Sequence, residues 1–168
     1  MQPVMTIDEV HRFLETDFPQ IHTDGRVFAV TEIAPGGASM RLDPSERHLR
    51  PGGTVSGPAL FTLADVTAYV AVLAHIGPVA LAVTTSLNIN FLRLPRPEAT
   101  TCTCRILKLG KRLAVMKPRF FRAIRRNWWR TPRQLTQFRL DKFEVLYYHI
   151  HNALILLSYF SECRKASY

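Results

Sequence analysis

A chain of 168 residues with 47% hydrophobic content is long enough for one domain with a real core and too apolar for wholesale disorder. Asp8, Glu9, Glu15 and Asp17 lie in the first twenty residues, with no apolar h-region, which argues against a secretory leader; the late apolar run at 153–160 is far short of the roughly 20 residues a membrane span needs. The net charge of +9 is unevenly placed, since residues 1–115 hold 11 Lys/Arg against 10 Asp/Glu and residues 116–168 hold 11 against 3. The expectation is a nearly neutral domain over 1–115, a basic atypical tail over 116–168, and a cytoplasmic location.

In chain order, Thr6 followed by Glu9 has the form of a capping box, and Ile7, Val10, Phe13 and Leu14 give a short amphipathic helix ending near Pro19. Residues 27–30 and 39–42 read as two strands joined through Ala34-Pro-Gly-Gly. Residues 44–53 are polar and rich in Pro and Gly, so they read as a loop. Residues 58–73 form the one long helical pattern, and it is apolar on nearly every side. A soluble helix of that kind must be wrapped by the rest of the fold. Gly77-Pro78 ends it, and residues 79–94 then read as a long strand alternating through Leu81, Val83, Leu87, Ile89 and Phe91. A turn at Pro95 and Pro97, a strand over 100–107, a turn at Gly110-Lys111 and a new strand from Leu113 follow. One long helix wrapped by an antiparallel sheet is an α+β plan.

Asp65, in the middle of the wrapped helix, is the leading candidate for chemistry. Burial penalises a carboxylate unless it is paired or used. Just upstream, Gly52-Gly-Thr-Val-Ser-Gly-Pro58 leads into the helix, so Gly57 would present its backbone N–H at a helix N-terminus, where it can polarise a carbonyl. No Gly-Lys-Ser/Thr follows, which excludes a phosphate-binding P-loop. His48 and His75 are explained by a solvated loop and a helix end. Cys102 and Cys104 share one face of a strand and read as buried thiols, with no further ligands spaced for a metal.

Ser56-Gly-Pro-Ala-Leu-Phe-Thr-Leu-Ala-Asp65 resembles the His-Gly-Gly-x-x-x-x-Leu-Ala-Asp signature of the phenylacetate-pathway (PaaI-like) hotdog thioesterases. Val83-Thr-Thr-Ser-Leu-Asn-Ile-Asn-Phe-Leu-Arg-Leu-Pro95 is similar to that family's central strand, and the resemblance covers residues 20–115. It implies a hotdog fold and hydrolysis of an acyl-CoA thioester, with no cofactor, in a homodimer or homotetramer whose active sites lie between subunits. Asp65 would activate water or act as nucleophile, the Gly57 N–H would hold the oxyanion, and Thr84 of the facing subunit would help place the water. Thr85, its neighbour on the opposite strand face, Ser56 and Arg50 complete the implied substrate-binding set. Ser56 stands where the family usually has His, and Arg50 where many members have Asn. Arg93 and Arg96 lie near the strand end, where a phosphate of coenzyme A could sit, with solvated surface as the favoured reading of both.

The family would continue after Val115 with two more long strands. Instead Met116-Lys-Pro-Arg-Phe-Phe-Arg-Ala-Ile-Arg-Arg-Asn-Trp-Trp-Arg shows no clean period-2 alternation. If one base was lost near Val115, allowed codons can be chosen for residues 116–139 so that the other frame reads DEAAIFSGDPEELVAHATATYSIP, a strand, a turn and an alternating strand that resemble the family's ending. The last strands are therefore expected to be replaced by a frameshifted tail. Two other readings stand beside the thioesterase: a non-catalytic acyl-CoA-binding hotdog protein or inactive fragment, and a binder of RNA or anionic membrane surfaces through the basic tail. The near-neutral domain argues against nucleic acid as the main partner.

Overall fold

A computed structural model describes residues 1–23, 25–123, 143–146 and 149–157. The first helix, α1 (Ile7–Asp17), starts on the capping box read from the sequence: the Thr6 hydroxyl accepts the Glu9 N–H, and the Glu9 carboxylate accepts the Thr6 N–H at 2.7 Å. A short 3-10 turn, Pro19–His22, follows. Strands β1 (Phe28–Ala34) and β2 (Gly37–Leu42) form the expected hairpin, longer at both strands than their apolar runs. Gly37 has a steric reason: a Cβ there would lie 2.5 Å from the Cys104 carbonyl oxygen. The polar loop holds a second 3-10 turn and a two-residue hairpin, β3 (Leu49–Arg50) with β4 (Thr54–Val55), turned through Gly52 and Gly53 at φ 96° and 70°.

Helix α2 (Gly57–Ile76) is the wrapped helix, extended by a few residues at its C-terminal end. By length and composition it is apolar enough to cross a membrane, yet most of it is buried inside the fold. Strands β5 (Ala82–Asn90), β6 (Thr100–Leu109), β7 (Leu113–Ala123), β8 (Phe143–Leu146) and β9 (His149–Leu157) complete an antiparallel sheet. Its order is β1-β2-β6-β7-β9-β5, with β8 on β7. Leu60, Leu63, Val70 and Leu73 of α2 pack in a core that includes Met40, Leu42, Cys102, Cys104, Met116, Phe120 and Ile155 of the sheet. This is the hotdog arrangement, a long helix held in a curved antiparallel sheet.

Two expectations are corrected. The strand expected over 79–94 is shorter and does not keep one face. Ala82 is buried and Thr84 half-buried, whereas Leu81 and Val83 are about half exposed on the outer side, at 50% and 49%. The register then shifts between Thr84 and Ser86 and again before Asn88, and beyond it Leu87 and Ile89 turn toward the core. A bulge inserts a residue and swaps the faces, and apolar residues on both faces hid the swap.

The second correction concerns the end of the neutral segment. Period-2 alternation does continue past residue 115: Ala114, Met116, Pro118 and Phe120 are buried, while Lys117 and Arg119 are exposed. Pro118 disguised it, because proline is unusual inside a sheet. It is tolerated between the stretch of β7 that pairs with β9 (Leu113 to Met116) and the stretch that pairs with β8 (Phe120 to Ala123). Strand β9, from the tail, lies between β7 and β5, with Ile155 opposite both Thr84 and Ala114. The strands expected to be replaced are thus supplied by the tail, and the sheet is continuous. Trp128 and Trp129 lie outside the described residues.

Phe120 is 1% exposed. Truncating a buried phenylalanine to alanine costs about 3–5 kcal/mol, so Phe120→Ala should lower unfolding stability by that order in chemical denaturation. Arg119→Ala, on the exposed face, should change it by less than about 0.5 kcal/mol. Equal small effects would mean that β7 does not belong to the core.

Candidate active site

The start of α2 is built by Ser56, Gly57 and Pro58. Ser56 is the N-cap: its backbone is extended and its hydroxyl accepts the Ala59 N–H at 3.4 Å. Its own N–H donates to the His48 carbonyl at 2.7 Å, which ties the helix start to the preceding loop. Gly57 is the first helical residue, and Pro58 occupies the second position, where a missing N–H costs nothing. The Gly57 N–H has no partner among the described residues and is left at the positive end of a 20-residue helix. A Cβ at Gly57 would meet the Phe91 ring at 3.3 Å, so the glycine keeps this approach open.

Two cavities flank the helix start. One, of about 200 Å³, is lined by Arg50, Gly57, Leu60, Phe91 and Arg93. The other, of about 340 Å³, is lined by Ser56, His48, Phe18, Phe28, Ala59 and Val66. The sequence-derived set is therefore divided. Arg50 and Gly57 meet in the smaller cavity, Ser56 faces the larger one, and Asp65, Thr84 and Thr85 line neither.

Asp65 sits two turns further along α2. At ~1.5 Å per residue it is ~12 Å from Gly57 along the axis. The helix is apolar all round, but the fold does not cover it all round. Pro58, Phe61 and Thr62 are exposed and Asp65 and Tyr69 half-buried, which leaves one open stripe at i, i+3/i+4 spacing. Within that stripe the Asp65 Oδ1 atom is shielded from solvent and has no hydrogen-bond partner among the described residues. An orphaned carboxylate oxygen is costly, so it calls for a partner or a task. One turn on, burial and then the nearby Asp17 charge push the Tyr69 phenol up to about 12. It stays protonated and donates to the Ala80 carbonyl at 3.3 Å.

Thr84 is half-buried on the helix side of β5, and Thr85 is exposed on the outer face, as the strand alternation implies. Beyond them, β5 ends the sheet order, with β9 its only strand partner among the described residues. Phe61 on α2 and Leu81, Val83, Phe91, Leu92 and Leu94 in and beside β5 are exposed.

The sequence missed the state of the two histidines. His48 is not in solvent: it is 8% exposed, its Nδ1 accepts the Ser45 N–H at 3.1 Å, and its ring stands edge-on to Phe28. His75 is equally buried; its Nδ1 donates to the Ala71 carbonyl at 2.7 Å, and its Nε2 accepts the Gly36 N–H at 3.0 Å. It pins the end of α2 to the β1–β2 turn. Neither role has a sequence signal, because both depend on loops folding back. Cys102 and Cys104 are buried free thiols as expected. Burial pushes the Cys102 thiol up to about 12, opposed by a contact with Thr67 of α2, and raises the Cys104 thiol likewise, which suits buried thiols rather than nucleophiles. Among the described residues, no group of three or more His, Cys, Asp or Glu is placed to hold a metal.

Comparison with known proteins decides the family. The thioesterase superfamily model matches residues 52–127, a stretch that includes α2, β5, β6 and β7. The structure of a protein provisionally named a thioesterase, from Silicibacter sp. TM1040, superposes with a TM-score of 0.68 at 36% identity, covering 93% of each chain. The chain belongs to the thioesterase superfamily. Zebrafish thioesterase superfamily member 2 superposes at 0.67, with 17% identity over 91% of this chain and 99% of the other. The PaaI protein of the Escherichia coli phenylacetic acid degradation operon gives 0.62, with 16% identity over 89% and 91%. These two likenesses concern the fold. No curated protein matched the chain. Membership of the superfamily supports thioester hydrolysis as the general activity.

Proposed function

We propose that the chain is an acyl-CoA thioesterase of the PaaI-like type, in which Asp65 activates water for attack on the thioester carbonyl. The observation that carries this is the unpartnered, shielded Asp65 Oδ1 on an otherwise apolar helix. A carboxylate there would be selected against unless it is used, and a general base must keep a free lone pair for the proton it takes. The Gly57 N–H is the oxyanion donor, since it is unpaired and aimed out of the helix start. Ser56 is occupied as the helix cap, so it takes no proton in this scheme and acts by holding Gly57 in place.

The chemistry is completed by a second copy of the chain. Gly57 and Asp65 of one subunit are two turns apart, beyond direct contact with one carbonyl, which favours a site built from Gly57 of one chain and Asp65 of the other. The open stripe on α2, the position of β5 at the end of the sheet order among the described residues and the exposed apolar residues around it support a homo-oligomer there. In this reading Thr84, half-buried on the helix side of β5, helps position the water, and Thr85 contributes to substrate binding. A cytoplasmic location belongs to the same reading.

Removing a general base costs typically about a hundredfold to ten-thousandfold. Thiol release from a panel of short-chain and aryl acyl-CoAs should therefore fall by that factor in Asp65→Asn, with thermal unfolding unchanged. A wild-type chain that binds acyl-CoA without releasing thiol would support the non-catalytic reading instead. The ending from about residue 116 is part of the proposal: it arose by a one-base shift and still supplies Met116, Pro118 and Phe120 of β7 and Ile155 of β9 as buried residues. Sequencing the gene checks this, because the codons of residues 116–139 must yield the alternative string; codons unable to do so would remove the idea.

A further inference from the structure

The smaller cavity carries more than an oxyanion donor. Two arginines, Arg50 from β3 and Arg93 beyond β5, line it together with Leu60, Phe91 and the Gly57 backbone, and no acidic residue is among its lining. Among the described residues, the Arg50 guanidinium has no carboxylate partner, whereas Arg26 pairs with Glu15 and Arg41 with Asp43. A concave site with the unpaired Arg50 guanidinium, no acidic lining residue and an apolar wall suits a ligand whose short hydrocarbon part ends in an anion. Guanidinium groups match carboxylates in shape as well as charge.

We infer that this cavity receives the terminal carboxylate of a short dicarboxylic acyl group, with Arg50 as the specificity-determining residue. The inference rests on the thioesterase reading, which puts the thioester oxygen on the Gly57 N–H. Gly57 belongs to the cavity wall, so whatever fills the cavity lies within a few bonds of the reacting carbonyl. The phosphates of coenzyme A are a whole pantetheine arm away from that carbonyl, and a volume of about 200 Å³ is too small for the nucleotide. The acyl side is the source of the anion. Leu60 and Phe91 then cover its methylenes.

The experiment compares kcat/KM for succinyl-CoA and butyryl-CoA, which share a chain length and differ in the terminal carboxylate. The full-length chain, Arg50→Gln and Arg50→Lys are assayed side by side. The readout is the succinyl-to-butyryl ratio, so any loss common to both substrates cancels. The wild type should favour succinyl-CoA, and the ratio should fall about tenfold or more in Arg50→Gln, with partial retention in Arg50→Lys. An unchanged ratio overturns the inference. So does an equal rise in KM for both substrates, which would place the anion on the coenzyme A phosphates. If the wild type hydrolyses neither thioester, the wider panel of short-chain and aryl acyl-CoAs decides the thioesterase reading, and calorimetry with the thioether analogues of the two compounds decides the cavity separately. Tighter binding of the succinyl analogue that is lost in Arg50→Gln sustains the assignment; equal binding of both analogues overturns it.

Discussion

Helix α2 is apolar around its whole circumference, and everything else in the structure answers that fact. Thirteen of its 20 residues are buried. Burying one large aliphatic side chain is worth roughly 1.5–3 kcal/mol, so leaving the helix in water is not an option. The sheet curves round it and turns Met40 of β2, Cys102 and Cys104 of β6, Met116 of β7 and Ile155 of β9 inward. His75 and the β1–β2 turn hold its far end, and Ser56 with the His48 carbonyl holds its start. What one chain leaves open is the stripe that contains Asp65. Packing and chemistry thus meet on the same face: the surface that still needs covering is the surface that carries the carboxylate.

The helix start divides the space around it. On one side lies the apolar cavity of Phe18, Phe28 and His48, and on the other the smaller cavity of Arg50, Arg93 and the Gly57 N–H. Ser56, by acting as the cap, fixes which way Gly57 faces. Where the PaaI-like signature has histidine, this chain uses a residue whose hydroxyl serves the backbone.

Much of this was legible in the sequence, for reasons that can be named. The capping box at Thr6 and Glu9, the Ala34-Pro-Gly-Gly hairpin and the extent of α2 follow from local chemistry and periodicity, and the structure has all three. Asp65 and Gly57 stand out as candidates because a carboxylate in an apolar helix and a glycine before its start are locally anomalous. The bulge in β5 was not legible, since Leu81, Val83, Leu87 and Ile89 are apolar on whichever face they fall. The continuation of β7 was masked by Pro118, whose acceptability depends on where β8 and β9 end. The burial of His48 and His75 depends on contacts with Ser45 and Gly36 that no spacing encodes. Nor did the sequence separate Ser56 from Arg50 and Gly57; only the fold puts them in different cavities.

The central claim is that one subunit's Asp65 acts on a thioester held by the other subunit's Gly57. Mixing two defective chains tests it most directly. Asp65→Asn removes the base, and Gly57→Pro removes the N–H at a position whose backbone tolerates proline, after a residue already extended at ψ 150°, with the Phe91 ring giving way by a few tenths of an ångström to the added Cβ. In a mixed two-fold dimer, a site built across chains pairs both defects in one site and leaves the other intact. Unfolded together and refolded in equal amounts, the two variants should recover about a quarter of wild-type thiol release, because roughly half the dimers are mixed and each has one good site. No recovery above the mean of the separate variants, with mixed dimers present, would place Asp65 and Gly57 in the same chain's site and contradict the account.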